Sequence, residues 1–545
     1  MDDTTLGRHL KLLQSQGDLD EVDEILTAPI FTEPVKSYVL SAMKDDKQGK
    51  EAFNQYGLLA ADIRERFLGS LETVHSSVKP DPRIFYNVAA PSSVFICGSQ
   101  GSGKSHTLSC LLENCLVPSE ATVLPRPLTG LVFHYDTFVS DTGSLPCEAA
   151  FLSSEDCVKV RVLCPPTNIQ QVKRIYACLP NVEVEELRIN ESDLTTKRML
   201  DLMAVSSIQG GGMPLYLHVV TRILRDLRVQ QQHSGMGFDY SAFQRALASE
   251  NLSEGQRAPL QQRLETLESF MVKKQVESHD LSKSGKATGQ KKKSKRNNFA
   301  VPTVDKGNDW APVSGQLTIV DLSCPCVTAE IACALFNICL SLFLEQDSRV
   351  GRVVALDEAH KYMMVGAEGQ TLTESLLSTI RLQRHIGVRV IISTQEPTIS
   401  PRLLDLCSVT IVHRFSSPDW LQSLRRHLVG VSVCEVGASR NGADNAVNGT
   451  KEEDRDGFDS ISPNQTTFSM NLLSQIVGLR RGEALMFAPS AVIDTEGFSS
   501  TSTNVGSQLL QEPPYTRISP LGKGLLKVRI RQRLTADGGR SVLAS

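Results

Sequence analysis

An α/β fold with a mainly parallel sheet is predicted by three features of this 545-residue sequence. Short apolar runs alternate with helical patterns through 93–230 and again through 317–414, the rhythm of strands joined by crossover helices. A glycine-rich loop sits between one such run and a helix. The composition, 41% hydrophobic and 22% charged, supplies a real core and excludes a wholly disordered chain.

The elements follow in order. Residues 1–85 read as a helical N-terminal segment: Leu6, Leu10, Leu12 and Leu13 are followed by Val22, Ile25 and Leu26, then by Phe67 and Leu71. Lys79-Pro80-Asp81-Pro82 ends this segment, and no strand alternation is visible in it. Residues 86–230 hold the first part of the core, with Val94-Phe95-Ile96-Cys97, Leu131-Val132-Phe133 and 158–163 as buried strands. Residues 231–314 form a helical insertion and basic linker. Helices are expected at 214–227 and 243–272, and 281–304 carries Lys283, Lys286, Lys291, Lys292, Lys293, Lys295 and Arg296 with no acid, the pattern of a disordered linker. Residues 315–495 resume the core around a disordered insert at about 435–466, and 496–545 are a tail with a basic strand.

With 57 Lys and Arg against 61 Asp and Glu the net charge is −4, so an anionic partner must be met by local patches. Thirteen cysteines include no CxxC pair, and Cys97, Cys333, Cys339 and Cys407 sit in apolar runs. They read as free buried thiols in a reducing compartment, neither a disulfide framework nor a zinc site. The apolar stretch 331–344, interrupted by Asn337 and Ser341, is shorter than the ~20 residues of a membrane span and reads as a buried helix. The acidic start lacks a signal region, so the expectation is a soluble, intracellular protein without membrane contact.

Gly98-Ser99-Gln100-Gly101-Ser102-Gly103-Lys104-Ser105 satisfies G-x-x-x-x-G-K-[ST], with an apolar strand before it and a helix after it. The glycines let successive backbone N–H groups turn toward one anion, and the helix adds its positive N-terminal end. Lys104 is the point charge for the outer phosphates of ATP, Ser105 offers a hydroxyl to Mg²⁺, and His106 closes the candidate binding stretch. Leu356-Asp357-Glu358-Ala359-His360 follows an apolar strand. Asp357 suits the Mg²⁺ shell and Glu358 the general base, although acids here also suit the start of a helix. Gln395, after the strand 388–393, is placed to orient water or sense the γ-phosphate. Arg381 and Arg384 fit either a dipole-complementing helix end or a neighbour's phosphate.

Two basic patches remain. Lys291-Lys292-Lys293-Ser294-Lys295-Arg296 fits a nuclear localisation signal, a phosphate binder or plain linker, which leaves cytoplasmic and nuclear residence both open. In the second, period-2 geometry places Lys527, Arg529, Arg531 and Arg533 on one strand face, a cation row suited to a phosphate backbone or a charged edge strand.

The order of these motifs resembles the HerA/FtsK superfamily of P-loop ATPases, and within it the HerA-like branch. Ile319-Val320-Asp321-Leu322-Ser323, Gln383-Arg384-His385-Ile386-Gly387, Ser393-Thr394-Gln395-Glu396-Pro397 and Leu479-Arg480-Arg481-Gly482-Glu483-Ala484 complete the resemblance, which spans roughly 90–230 and 315–495. It implies a RecA-like core, a hexameric ring, ATP hydrolysis between subunits and movement of double-stranded DNA. Carried over by position, Asp357 and Glu358 are the acidic pair, Gln395 the sensor, and Arg381 or Arg384 the inter-subunit arginine. HerA-like proteins usually carry an N-terminal β-barrel, whereas residues 1–80 here read as helices, and His134-Tyr135-Asp136-Thr137 stands where the family tends to have an acidic, glycine-containing turn. The sequence therefore points to a Mg²⁺-dependent, DNA-acting ATPase, with a slowly turning nucleotide switch or scaffold bound to a protein partner as the alternative.

Overall fold

The computed structural model describes residues 24–42, 53–63, 81–137, 145–203, 215–235, 237–272, 306–346, 349–363, 366–427, 472–497, 516–522 and 524–538. They fall into two compact units, one of residues 1–128, 351–355 and 379–545, the other of residues 129–350 and 356–378. The run 291–296, the insert 435–466 and the N-terminal leucines Leu6 to Leu13 lie outside the described residues. Strands are numbered along the whole chain.

The first unit contains β1 (Ile30–Thr32), β2 (Tyr56–Asp62), β3 (Arg83–Asn87), β4 (Ser93–Cys97) and β5 (Thr122–Val123). It continues with β10 (Arg352–Leu356, whose last residue falls in the other unit), β11 (Val388–Thr394), β12 (Val409–Val412), β13 (Glu483–Phe487), β14 (Val492–Gly497), β15 (Thr516–Pro520) and β16 (Leu526–Ile530). Its central strands are parallel: β4 lies between β11 and β12, with Val94 opposite both Ile391 and Val409. Every residue of β4, β10 and β11 is buried, as expected of strands covered on both faces. Arg389, the one charge in β11, is tolerated because its guanidinium donates to Gly387 O at 2.9 Å and Ala89 O at 2.6 Å.

Beyond β12 the sheet turns antiparallel through β13, β16, β2, β3 and β1. This corrects the helical reading of residues 1–85, because three strands come from that segment alongside the helix Glu33–Ala42. The pattern was hidden because β1 and β3 are short and largely buried, with Ile30, Phe31, Ile84 and Tyr86 fully buried, while the half-buried positions of β2, Tyr56, Leu58 and Ala61, are not polar enough to mark an alternating face. Ile25, Phe31, Val35, Val39, Phe53 and Phe85 gather with the distant Val492 into a local core.

The basic strand is also corrected. β16 is an interior strand paired to β13 on one side and β2 on the other, so it is not an edge. Its cation row is closed at one end only: Lys527 is half-buried and the Arg529 side chain is 57% exposed, whereas the side chains of Arg531 and Arg533 are buried. Arg529 pairs with Glu483 at 3.0 Å, and the Arg531 and Arg533 side chains, 8% and 3% exposed, face the buried Glu113.

In the second unit β6 (Thr129–His134), β9 (Gln316–Asp321), β7 (Lys159–Cys164) and β8 (Val182–Glu186) pair side by side, all parallel. Helix Leu215–Ser234 runs past the expected 214–227, and the single helix expected over 243–272 is two, Tyr240–Ala248 and Glu254–Phe270, the second started by the capping box of Ser253 and Gln256. The apolar stretch forms the helix Ala329–Leu344, capped by Thr328 and buried along most of its length, as read from the sequence. No described helix is long and apolar enough to cross a membrane. Cys97, Cys333 and Cys339 are buried free thiols and Cys407 is half-buried.

Candidate phosphate site and acidic pair

The loop between β4 and the helix Lys104–Leu116 has the backbone that its glycines predict. Gly98, Gly101 and Gly103 take φ of 152°, 71° and 116°. At Gly98 a Cβ would lie 2.7 Å from His413 Cβ and 2.8 Å from Ser102 Oγ, so the loop is pressed against its support and admits no side chain there. Gly103 is the left-handed residue that starts the helix. Ser99 donates from N–H and Oγ to Arg414 O, both at 2.9 Å, and Ser102 Oγ donates to Ser99 O at 2.7 Å. Lys104 is 4% exposed, and its ammonium donates to Ser99 O at 3.0 Å. Gln100 and Gly101 are exposed, and Ser105 and His106 half-buried. The predicted stretch 98–106 is thus one continuous structure at the end of a parallel strand, where anions meet helix N-termini.

Two residues outside the motif hold it. His413 follows β12, and its N–H donates to Cys97 O at 2.8 Å. Its ring nitrogens bridge Thr107 Oγ1 at 2.8 Å and Glu483 O at 3.1 Å. Burial pushes its pKa down to about 4; the Glu483 carbonyl opposes this and Lys104 adds to it, so the ring stays neutral. On the same helix Glu113, fully buried, accepts from Arg531 Nη1 at 2.7 Å, Thr535 Oγ1 at 2.6 Å, and the N–H groups of Leu534 and Thr535. His106 Nε2 meets Arg531 O at 2.8 Å. The Arg531–Arg533 end of the row that sequence reasoning offered to nucleic acid is a clasp on the phosphate-loop helix.

Gln395 leaves β11 one residue after Thr394, which is in register with Cys97, so it emerges at the same level as Gly98. Its carbonyl accepts from Trp420 Nε1 at 2.7 Å. Arg381 and Arg384 are exposed near the end of the helix Ala367–Ile386, so either can meet a neighbour or solvent.

The acidic pair belongs to the second unit. Asp357 N–H donates to Phe133 O at 3.1 Å, which sets the pair beside the end of β6. Asp357 is 3% exposed; its Oδ2 lies 3.4 Å from His134 Nδ1, and its Oδ1 has no hydrogen-bond partner. Burial alone would lower the pKa of His134, but Cys147 and Asp357 beside it raise it. Glu358 sits at φ 48°, ψ 45°, a left-handed conformation costly for a residue with a side chain, and its Oε2 lies 3.5 Å from His360 Nε2. The reading of the pair as a helix cap gains little, since only a 3-10 turn, Ala359–Lys361, follows and Glu358 makes no side-chain cap bond to it. Asp321 accepts from Tyr176 OH at 2.7 Å and Ser323 N–H at 3.0 Å, a structural role.

No family model matches the chain, and no curated protein matches it. Among solved structures it is similar to VirB4 of Thermoanaerobacter pseudethanolicus, at 12% identity over 79% of this chain and 93% of that one, with a TM-score of 0.37. It is also similar to the genome packaging NTPase B204 from Sulfolobus turreted icosahedral virus 2 in complex with ATP-gammaS, at 14% identity over 32% of this chain and 63% of that one, with a TM-score of 0.21. At these scores neither likeness carries a residue role, substrate or assembly to this chain. What the chain itself shows is the expected α/β class: parallel strands β11, β4 and β12 in the first unit, and β6, β9, β7 and β8 in the second.

Proposed function

We propose that this chain is a Mg²⁺-dependent, ATP-hydrolysing P-loop ATPase of the HerA-like type, acting as an oligomeric ring on double-stranded DNA. One observation carries the hydrolytic part: a G-x-x-x-x-G-K-[ST] loop whose three glycines all take positive φ, mounted between a parallel strand and a 13-residue helix. The residues present fit the nucleotide and its metal. The loop leaves no room for a side chain at Gly98, and Asp357 keeps one buried carboxylate oxygen without a hydrogen bond.

Lys104 would leave Ser99 O for the outer phosphates, and the loop N–H groups would bind the rest of the polyphosphate. On the motif order alone, Ser105 and Asp357 are the residues assigned to Mg²⁺, which when bound neutralises charge on phosphate oxygens. Glu358, whose carboxylate lies 3.5 Å from His360 Nε2, is assigned the proton of the attacking water. The same order assigns Gln395 to orienting water or sensing the γ-phosphate, and Arg381 or Arg384 to a neighbouring subunit's nucleotide. The ring and the DNA rest on the resemblance of the motifs alone.

A second reading, an ATP-binding switch or scaffold with slow turnover and a protein partner, is favoured by the internal neutralisation of Arg531 and Arg533 by Glu113. The two separate on ATP hydrolysis by the full chain with and without long double-stranded DNA, with Lys104→Ala as blank. Stimulation by DNA that fades with rising salt supports the motor. Hydrolysis indifferent to DNA, or binding without turnover, supports the switch.

A further inference from the structure

Three donors of the second unit converge although no sequence spacing announces them. His134 ends β6, Cys147 precedes the 3-10 turn Glu148–Ser154, and Asp357 follows β10. One donor atom from each lies within 4.8 Å of the other two, and the His134–Asp357 separation is 3.4 Å. Cys147 is fully buried and Asp357 is 3% exposed. Asp357 Oδ1 is buried without a hydrogen-bond partner, and His134 Nδ1 faces Asp357 Oδ2 at 3.4 Å without hydrogen-bond geometry. Tyr176 OH accepts from the Cys147 N–H at 3.0 Å and donates to Asp321, which fixes the cysteine backbone.

Cysteine, histidine and aspartate act together in two chemistries. A nucleophilic triad needs a substrate carbon to reach the sulfur, and the burial of Cys147 denies that. A cation needs no such opening. We propose that His134, Cys147 and Asp357 form a binding site for one thiophilic divalent cation of the Zn²⁺ class. Thiolate and imidazole select Zn²⁺ over Mg²⁺, which demands an octahedron of oxygens. Tetrahedral Zn²⁺ with bonds of about 2.0–2.3 Å holds its ligand atoms about 3.3–3.8 Å apart, so donor atoms up to 4.8 Å apart need a contraction of about 1.5 Å at most. Binding releases the Cys147 proton to solvent, involves no electron transfer, and leaves a fourth position for water. Its consequence for turnover rests on the proposed role of Asp357: a carboxylate held by His134, Cys147 and Zn²⁺ is withdrawn from Mg²⁺, so the soft cation arrests hydrolysis.

The test uses the full chain. Co²⁺ is the spectroscopic probe, through its thiolate charge-transfer absorption, and Zn²⁺ affinity is measured by competition with a chromogenic chelator. One site per chain is expected, with affinity reduced by more than the roughly 10–100-fold cost of losing an outer ligand partner in both Cys147→Ser and His134→Gln. Both variants are first matched to wild type by circular dichroism; if Cys147→Ser does not fold, His134→Gln decides. Absence of the site in wild type, or wild-type affinity in a folded variant, overturns the proposal. ATP hydrolysis at fixed Mg²⁺ separates the two readings. Loss of turnover in step with Zn²⁺ occupancy supports both; occupancy that leaves turnover unchanged upholds the cation site and removes Asp357 from the Mg²⁺ role.

Discussion

His413 supports the phosphate loop from below, and its neutrality gives it a pH signature. Its pKa falls from the 6.5 of a free histidine to about 4 in the fold. Between these values the unfolded chain binds a proton that the folded chain refuses, so the stability it contributes is full above pH 6.5 and is lost as pH falls toward 4. The size is about 3 kcal/mol. His413→Gln should therefore show a shallower fall in urea midpoint between pH 6.5 and 4 than wild type; parallel curves would return the acid sensitivity to other groups. Gly98→Ala should destabilise by roughly 1–3 kcal/mol, since it combines a left-handed φ with a 2.7 Å approach to His413 Cβ. Glu358→Gln should keep ATP binding while turnover falls by about 10²–10⁴-fold; a wild-type rate would remove Glu358 from the base role. The loop residues 98–106 were legible because they are contiguous. His413 was not, since only the pairing of β12 with β4 brings it beneath the loop.

At the scale of elements, the C-terminal chain after β16 is a clasp. Glu113 collects four donors from 531–535 at the inner side of the phosphate-loop helix. Removing one partner of such a buried set strands the other charge, at a cost of about 3–5 kcal/mol. Glu113→Ala should shift the urea midpoint accordingly and weaken nucleotide binding with it; a shift under 1 kcal/mol, about the worth of an exposed pair, would mean that the clasp is solvated. Alternation in the sequence identified the spacing of the basic residues correctly, but it could not say that a second strand lies on either side of β16. The strands β1 and β3 escaped for the opposite reason, being too short and too thoroughly buried to alternate, and β2 because its half-buried positions are not polar enough to mark a face.

For the whole molecule, a net charge of −4 provides no general attraction for DNA. If DNA stimulates hydrolysis, Arg529→Gln tests the open end of the cation row, since the Arg529 side chain is 57% exposed and its pair with Glu483 is a surface one; an unchanged salt dependence would leave it to that pair alone. A slope reduced by about 0.9 would mean that it meets a phosphate. The sequence by itself determined the α/β class and located the glycine-rich loop and the Asp357-Glu358 pair, because each is a local run of adjacent residues. Tertiary structure alone decided the rest. It made antiparallel strands of a segment that reads as helical, turned the Arg531–Arg533 end of a cation row into an internal clasp, and set donor atoms of His134, Cys147 and Asp357 within 4.8 Å of one another. Such contacts depend on which strands pair and in what register, which is settled by burying apolar surface over the whole chain and leaves no local periodicity to read.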